Sequence, residues 1–160
     1  MKKIKVQKLT KEAFAQYGQF DDFVHPSGQT LGTFYHDHII YPVSGQVPIG
    51  FSPMIAKKAD RMIVKACEYH NYTGEVVLPL DDDIVIYVAC ASNSEKAENV
   101  EAFLVPAGTM VCYNIGVWHD APFAVNKDVA HMMVALPQRI YHNDCHEVQF
   151  DESEYIELEL

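Results

Sequence analysis

From residue 49 onward the chain breaks into short apolar runs closed by turn-forming residues, and this rhythm limits the possible folds more than any other feature. Residues 49–55, 61–69, 75–80, 84–91, 100–105, 109–113, 121–125 and 129–136 are dominated by Val, Ile, Tyr and Phe, which suit a pleated, half-buried surface. Their recurrence every ~8–12 residues predicts an all-β sandwich or barrel. The run 84–91 is almost continuously apolar, the pattern of a central strand covered on both faces. Before this region, Thr10 is placed to cap a short helix, Glu12 lies in its first turn, and Leu9 with Phe14 fits a hydrophobic staple. Gly18 is the expected helix stop. The polar stretch 92–99 reads as a loop, and the acidic stretch 151–160 as a solvated end or an edge segment.

A length of 160 residues predicts one domain over residues 1–160. Apolar residues at 49% and charged residues at 21% exclude the composition of a disordered chain. Acidic side chains number 22 against 12 basic ones, a balance that argues against nucleic acid and anionic membranes as partners. No apolar run approaches the ~18 residues of a membrane span, and no hydrophobic stretch follows the first lysines, so no signal peptide is predicted and the expected location is cytoplasmic. Cys67, Cys90, Cys112 and Cys145 form no C-x-x-C pair and are expected to be reduced thiols, the first three in the core.

Chemistry concentrates in Glu68-Tyr69-His70-Asn71-Tyr72-Thr73-Gly74-Glu75. On a strand, residues 68 and 70 share a face. Tyr72-Thr73-Gly74 offers a turn, after which Glu75 can return beside His70. Pro106-Ala107-Gly108 and Gly116-Val117-Trp118-His119 follow much later. Carboxylates and imidazoles converging inside a barrel suit a divalent ion such as Mn, Fe, Ni or Zn. The plainer alternatives are a strand-surface carboxylate for Glu68, a hairpin-end charge for Glu75, and structural histidines. Burying either carboxylate unpaired costs several kcal/mol, so an inward position favours a cation or an ion pair. His36 and His38 form a second pair without a nearby Glu at ligand offset, suited to a pocket wall or the surface. His142-Asn143-Asp144-Cys145-His146 reads as a loop after the last strand, and Tyr35, Tyr72 and Tyr113 as ligand contacts or barrel aromatics.

The pattern Glu-x-His-x4-Glu, followed by Pro-x-Gly and a distal His, resembles the two metal motifs of the cupin superfamily, with Glu68 at the first His position. A closer resemblance runs along most of the chain. The segment from Leu9 to Gly18, the tripeptide Tyr35-His36-Asp37, Glu68-Tyr69-His70 with Leu78-Pro79, Gly116-Val117-Trp118-His119 and Asp144-Cys145 occur in the order seen in ureidoglycolate lyases. That resemblance implies a cupin-type β-barrel (a double-stranded β-helix or jelly roll), often a homodimer. It implies release of urea and glyoxylate from the small-molecule substrate ureidoglycolate, in purine catabolism through allantoin. On this basis His70, His119 and Glu75 are candidate ligands of a divalent metal ion, with Glu68 as fourth ligand or base. Glu68, His70 and His119 are the candidate catalytic residues, and Tyr35, His36, Tyr113 and Lys57 the candidate substrate contacts.

Family members usually carry Gln where Glu75 stands, an Arg in the strand after residue 45, and Asp-Arg-Gly near the end of the last barrel strand. The last two regions here read Phe51-Ser52-Pro53-Met54-Ile55 and Ala135-Leu136-Pro137-Gln138, leaving Lys57 or Arg139 as substitutes. A lost Arg clamp removes ~1.5–3 kcal/mol. The expectation is weak ureidoglycolate turnover or a shift to a related hydroxy or keto acid. A non-catalytic small-molecule-binding cupin and a metal-dependent sugar or keto-acid isomerase are the competing readings.

Overall fold

The computed structural model describes residues 1–43 and 45–160. In chain order its elements are β1 (Lys2–Lys8), helix α1 (Lys11–Phe14), β2 (Gly18–Asp22), β3 (Thr30–Leu31), β4 (Phe34–Tyr35), β5 (Ile49–Lys57), β6 (Met62–Val64), β7 (Ala66–Tyr69) and β8 (Glu75–Pro79). Then come β9 (Ile84–Val88), β10 (Glu101–Val105), β11 (Thr109–Tyr113), β12 (Phe123–Ala124), β13 (Val129–Pro137), helix α2 (Ile140–Asn143), β14 (His146–Gln149), a 3₁₀ turn (Glu152–Glu154) and β15 (Ile156–Glu159).

One sheet runs β12-β9-β10-β1-β15-β6 and the other β2-β11-β8-β13-β5; β14-β7 and β3-β4 are two-stranded ribbons. Alternation along the strands supplies the core between the sheets. Ile84, Ile86 and Val88 of β9 and Phe103 and Val105 of β10 meet Val77 of β8, Val111 and Tyr113 of β11, and Met132 and Val134 of β13. The fold is an all-β, cupin-type barrel. The opposite face of β9, Val85 and Tyr87, packs with Cys67 and Trp118 in a second cluster. Both faces of this strand are therefore covered, as its unbroken apolar run predicts.

Helix α1 is a single turn. Thr10 Oγ1 accepts from the Ala13 N–H at 3.2 Å, and Leu9 and Phe14 both enter the core. Gly18 does not stop the helix but opens β2. A Cβ there would lie 2.0 Å from the Cys112 carbonyl oxygen on β11, so the close approach of the two strands requires glycine. The run 61–69 divides into β6, which pairs with β15, and β7, which pairs with β14.

The acidic end is the largest departure from expectation. Rather than a solvated or edge segment, β15 lies between β1 and β6 inside the larger sheet. It runs parallel to β1, a strand that the scattered lysines of residues 2–8 conceal. Ile4, Val6, Ile156 and Leu158 enter the second cluster, while Lys3 Nζ reaches Glu159 at 2.6 Å and Glu157 at 3.4 Å. Arg61 grips both oxygens of Glu157 at 2.7 and 2.8 Å. All four cysteines are free, but Cys90 is exposed rather than in the core. Among the described residues, no helix is long and apolar enough to cross a membrane.

Candidate metal centre

Three chain segments converge at one end of the barrel. Strand β7 carries Glu68, and His70 follows directly. The turn at 71–74 brings the chain back to Glu75 at the start of β8, whose neighbour on β11 is Tyr113. Gly74 allows this, since a Cβ there would meet the Tyr113 carbonyl oxygen at 2.2 Å. The third segment is 116–119. Gly116 N–H donates to the His70 carbonyl at 2.8 Å, and Trp118 exchanges backbone bonds with Ala89 at 2.9 and 3.0 Å. His119 exchanges bonds with Glu68 at 2.6 and 2.8 Å. A backbone ladder thus sets His119 directly across from Glu68.

The structure brings Glu68, His70, Glu75 and His119 together, with one candidate ligand atom from each lying within 4.8 Å of the others. His70, Glu75 and His119 are buried. Glu75 Oε2 lies 3.2 Å from His70 Nε2 and 3.1 Å from His119 Nε2. Neighbouring ligands on an ion with bonds of about 2.1 Å sit about 3.0 Å apart in octahedral and about 3.4 Å apart in tetrahedral geometry.

The opposite ring nitrogens decide what can occupy this centre. His70 Nδ1 lies 2.6 Å from the Asp144 carbonyl oxygen, and His119 Nδ1 lies 2.8 Å from that of Val117. A carbonyl only accepts, so each Nδ1 carries the hydrogen. In a neutral ring, Nε2 then turns a lone pair toward the Glu75 carboxylate. Two lone pairs converging on one anionic oxygen repel unless a metal ion lies among them or the rings are protonated. The donor set therefore fits a divalent cation, and each imidazole already has its outer nitrogen held as metal-binding histidines require.

The proton can partly stand in for the metal. Burial pushes the Glu75 carboxyl up, but His119 and His70 outweigh it and hold the group at about 2. Burial pushes His119 down, and Glu75 more than reverses this, so its imidazole is raised above the ordinary value. The Tyr113 hydroxyl is raised well above its ordinary range by burial and by Glu75. Its ring packs 4.6 Å from that of His119.

A family model described as Ureidoglycolate lyase matches residues 1–157. The chain belongs to the ureidoglycolate lyase family. It is similar to a ureidoglycolate lyase of Pseudomonas savastanoi pv. phaseolicola, 25% identical over 99% of this chain and 96% of that protein. It is also similar to one from Pseudomonas putida strain F1, 26% identical over 99% of this chain and 98% of that protein. Among solved structures, RmlC from Streptococcus suis in complex with dTDP-D-xylose aligns with 66% of this chain and 53% of its own at TM-score 0.44 and 10% identity. The family is one of lyases, so the chain is a lyase-family enzyme.

The substrate contacts expected of a ureidoglycolate lyase do not all meet here. Tyr113 lies under the cluster. Tyr35 and His36 instead line a cleft of about 580 Å³ with Val76, Met110, Met133 and Ala135. These strand residues point away from the barrel interior, because Val76 follows the inward Glu75 and alternation turns it outward. His38, in the same cleft, is held by Asp21 at 2.6 Å. Lys57 pairs with Val129, six positions along β13 from the Ala135–Val76 pair. At ~3.3 Å per residue it lies about 20 Å from the Glu75 end. Tyr35, His36 and Lys57 thus stand apart from the cluster. Arg139 lies just past β13 at the Glu75 end, in a left-handed conformation with φ 64°.

Asp144 and Cys145 are the residues that reading 142–146 as a loop passes over. Asp144 is buried. Its carboxylate accepts from the Asn71 and Tyr72 N–H groups at 2.9 and 2.8 Å. The Cys145 thiol donates to Glu68 Oε2 at 2.8 Å. In the sequence, only the resemblance of Asp144-Cys145 to the family marked this pair.

Proposed function

We propose that this chain is a metal-assisted carbon–nitrogen lyase that cleaves ureidoglycolate, or a close hydroxy-acid analogue, to urea and glyoxylate. The observation that carries the reading is the pair of imidazole lone pairs aimed at one buried carboxylate oxygen. His70, Glu75 and His119 hold a divalent ion, Mn, Fe, Ni or Zn, and Glu68 stands beside it as the base. Three protein ligands leave positions open for substrate. The bound ion supplies Lewis acidity toward the substrate's hydroxyl and carboxylate oxygens.

Glu68 takes the proton of the carbinol hydroxyl. The oxygen's electron pair closes the aldehyde carbonyl as the carbon–nitrogen bond breaks, and Glu68 returns that proton to the departing ureido nitrogen. Atoms and charge balance with no further reactant. Arg139, rather than Lys57, supplies the cation for the substrate carboxylate, and Tyr113 forms the floor of the site. The chain acts as one domain, in the cytoplasm, in the breakdown of purines through allantoin, and assembles as a homodimer.

The test is glyoxylate release by protein loaded with each of the four metals and by the same protein after chelation. Turnover is expected in the loaded protein and absent after chelation. Glu68→Gln should retain the metal and slow release by roughly 10²–10⁴-fold, the usual contribution of a positioned general base. Equal turnover after chelation, or no glyoxylate with any of the metals, overturns the reading.

A further inference from the structure

We propose that Asp144 and Cys145 form a clamp that positions the metal centre, Asp144 acting through His70 and Cys145 through Glu68. The inference rests on the metal-assisted reading above and goes beyond it by assigning positioning residues outside the ligand set.

The two residues lie more than 70 positions from the groups they hold, at 2.6 Å for Asp144 O to His70 Nδ1 and 2.8 Å for Cys145 Sγ to Glu68 Oε2. The Asp144 carbonyl receives the Nδ1 hydrogen and so fixes both the tautomer and the ring orientation, with Nε2 toward Glu75. Its carboxylate receives the N–H groups of Asn71 and Tyr72. These begin the turn that carries the chain from His70 to Glu75, so one buried side chain sets the spacing of two ligands. Cys145 donates to Glu68 Oε2 and so restrains the carboxylate assigned as the base. Strand β14 anchors the clamp, pairing His146 with Tyr69 and Glu147 with Glu68. Partners of this kind typically change metal affinity or activity 10- to 100-fold when removed.

The experiment combines Mn²⁺ titration calorimetry, ¹⁵N spectra of the backbone amides and steady-state kinetics on the full chain. Asp144→Ala keeps the main-chain carbonyl that accepts from His70 but loses the carboxylate that holds the turn, so it should bind Mn²⁺ roughly 10- to 100-fold more weakly and shift the amide signals of Asn71 and Tyr72. Asp144→Asn, which keeps one acceptor and guards against loss of the fold, should fall between it and the wild type. Cys145→Ala should lower kcat with KM unchanged, and Cys145→Ser, which keeps a donor, should restore most of it. Wild-type Mn²⁺ affinity and unshifted Asn71 and Tyr72 amide signals in both Asp144 variants overturn the proposal, as do equal rates in Cys145→Ala and Cys145→Ser. If the wild type binds no Mn²⁺ or releases no glyoxylate, the lyase reading fails separately, and the Asn71 and Tyr72 amide signals of the Asp144 variants still decide whether the clamp exists.

Discussion

At the residue scale, Glu75 Oε2 and His119 Nε2 lie 3.1 Å apart, and the proposed metal ion would compete with the proton that joins them. The Glu75 carboxyl titrates near 2 in the fold against an ordinary 4.5. A lowered acid stabilises the fold above its unfolded value, so this contribution is complete above about pH 4.5 and is lost as pH falls toward 2. It amounts to on the order of 3 kcal/mol. His119 has the opposite sign. Its raised imidazole stabilises the metal-free fold below about pH 6.5 and loses that effect as pH climbs through its folded value. Metal binding needs the imidazole lone pair, so the affinity should rise over that same climb. Urea unfolding of chelated protein should therefore show greatest stability between about pH 5 and 6.5, while Mn²⁺ should stabilise more strongly at pH 8 than at pH 6. A metal effect that is equal at both pH values would show that His119 is not displaced from its proton.

At the scale of elements, β15 shows how a charged segment becomes interior. Its Ile156 and Leu158 pack inward, while Glu157 and Glu159 meet Lys3 and Arg61 across the sheet. The apolar face does most of the stabilising, because exposed ion pairs give little net energy and salt screens them. Leu158→Ala should lower the unfolding free energy by about 2–4 kcal/mol, and Arg61→Ala by much less, the latter difference shrinking in high salt. A solvated tail would give no loss for Leu158→Ala, so denaturant midpoints of the two variants discriminate directly. The same strand logic explains β7 and β14. Pairing with β14 brings Asp144 to His70 and Cys145 to Glu68.

At the scale of the whole molecule, the outer cleft is rimmed by large apolar side chains. Phe34 is 63% exposed and Phe51 72%. Exposed large apolar side chains around a cleft commonly mark an interface, and a two-fold pair would cover them on both copies. Light scattering at micromolar concentration should give the dimer mass, and Phe51→Glu with Phe34→Ser should shift it toward the monomer while the circular dichroism of the barrel is unchanged. A wild-type monomer would remove the homodimer reading and leave the metal centre untouched.

The sequence by itself determined the strand-rich fold and the four residues of the centre. Those signals are local: Val, Ile and Phe in short runs mark half-buried strands, and Glu-x-His-x4-Glu sets three of the clustered side chains around one tight turn. The central position of β9 was legible for the same reason, since a strand buried on both faces has no polar alternation. Tertiary structure alone decided the rest, because it depends on contacts between segments remote in the chain. The acidic stretch 151–160 reads as a solvated end or an edge segment until parallel pairing with residues 2–5 places it inside the sheet. Tyr35 and His36 were assigned to the site by family order, and the pleat of β8 put their cleft on the opposite face. Asp144 has the composition of a loop residue. Only the fold, by carrying its carbonyl to His70 and its carboxylate to the following turn, gave it a place beside the Glu68, His70, Glu75 and His119 cluster.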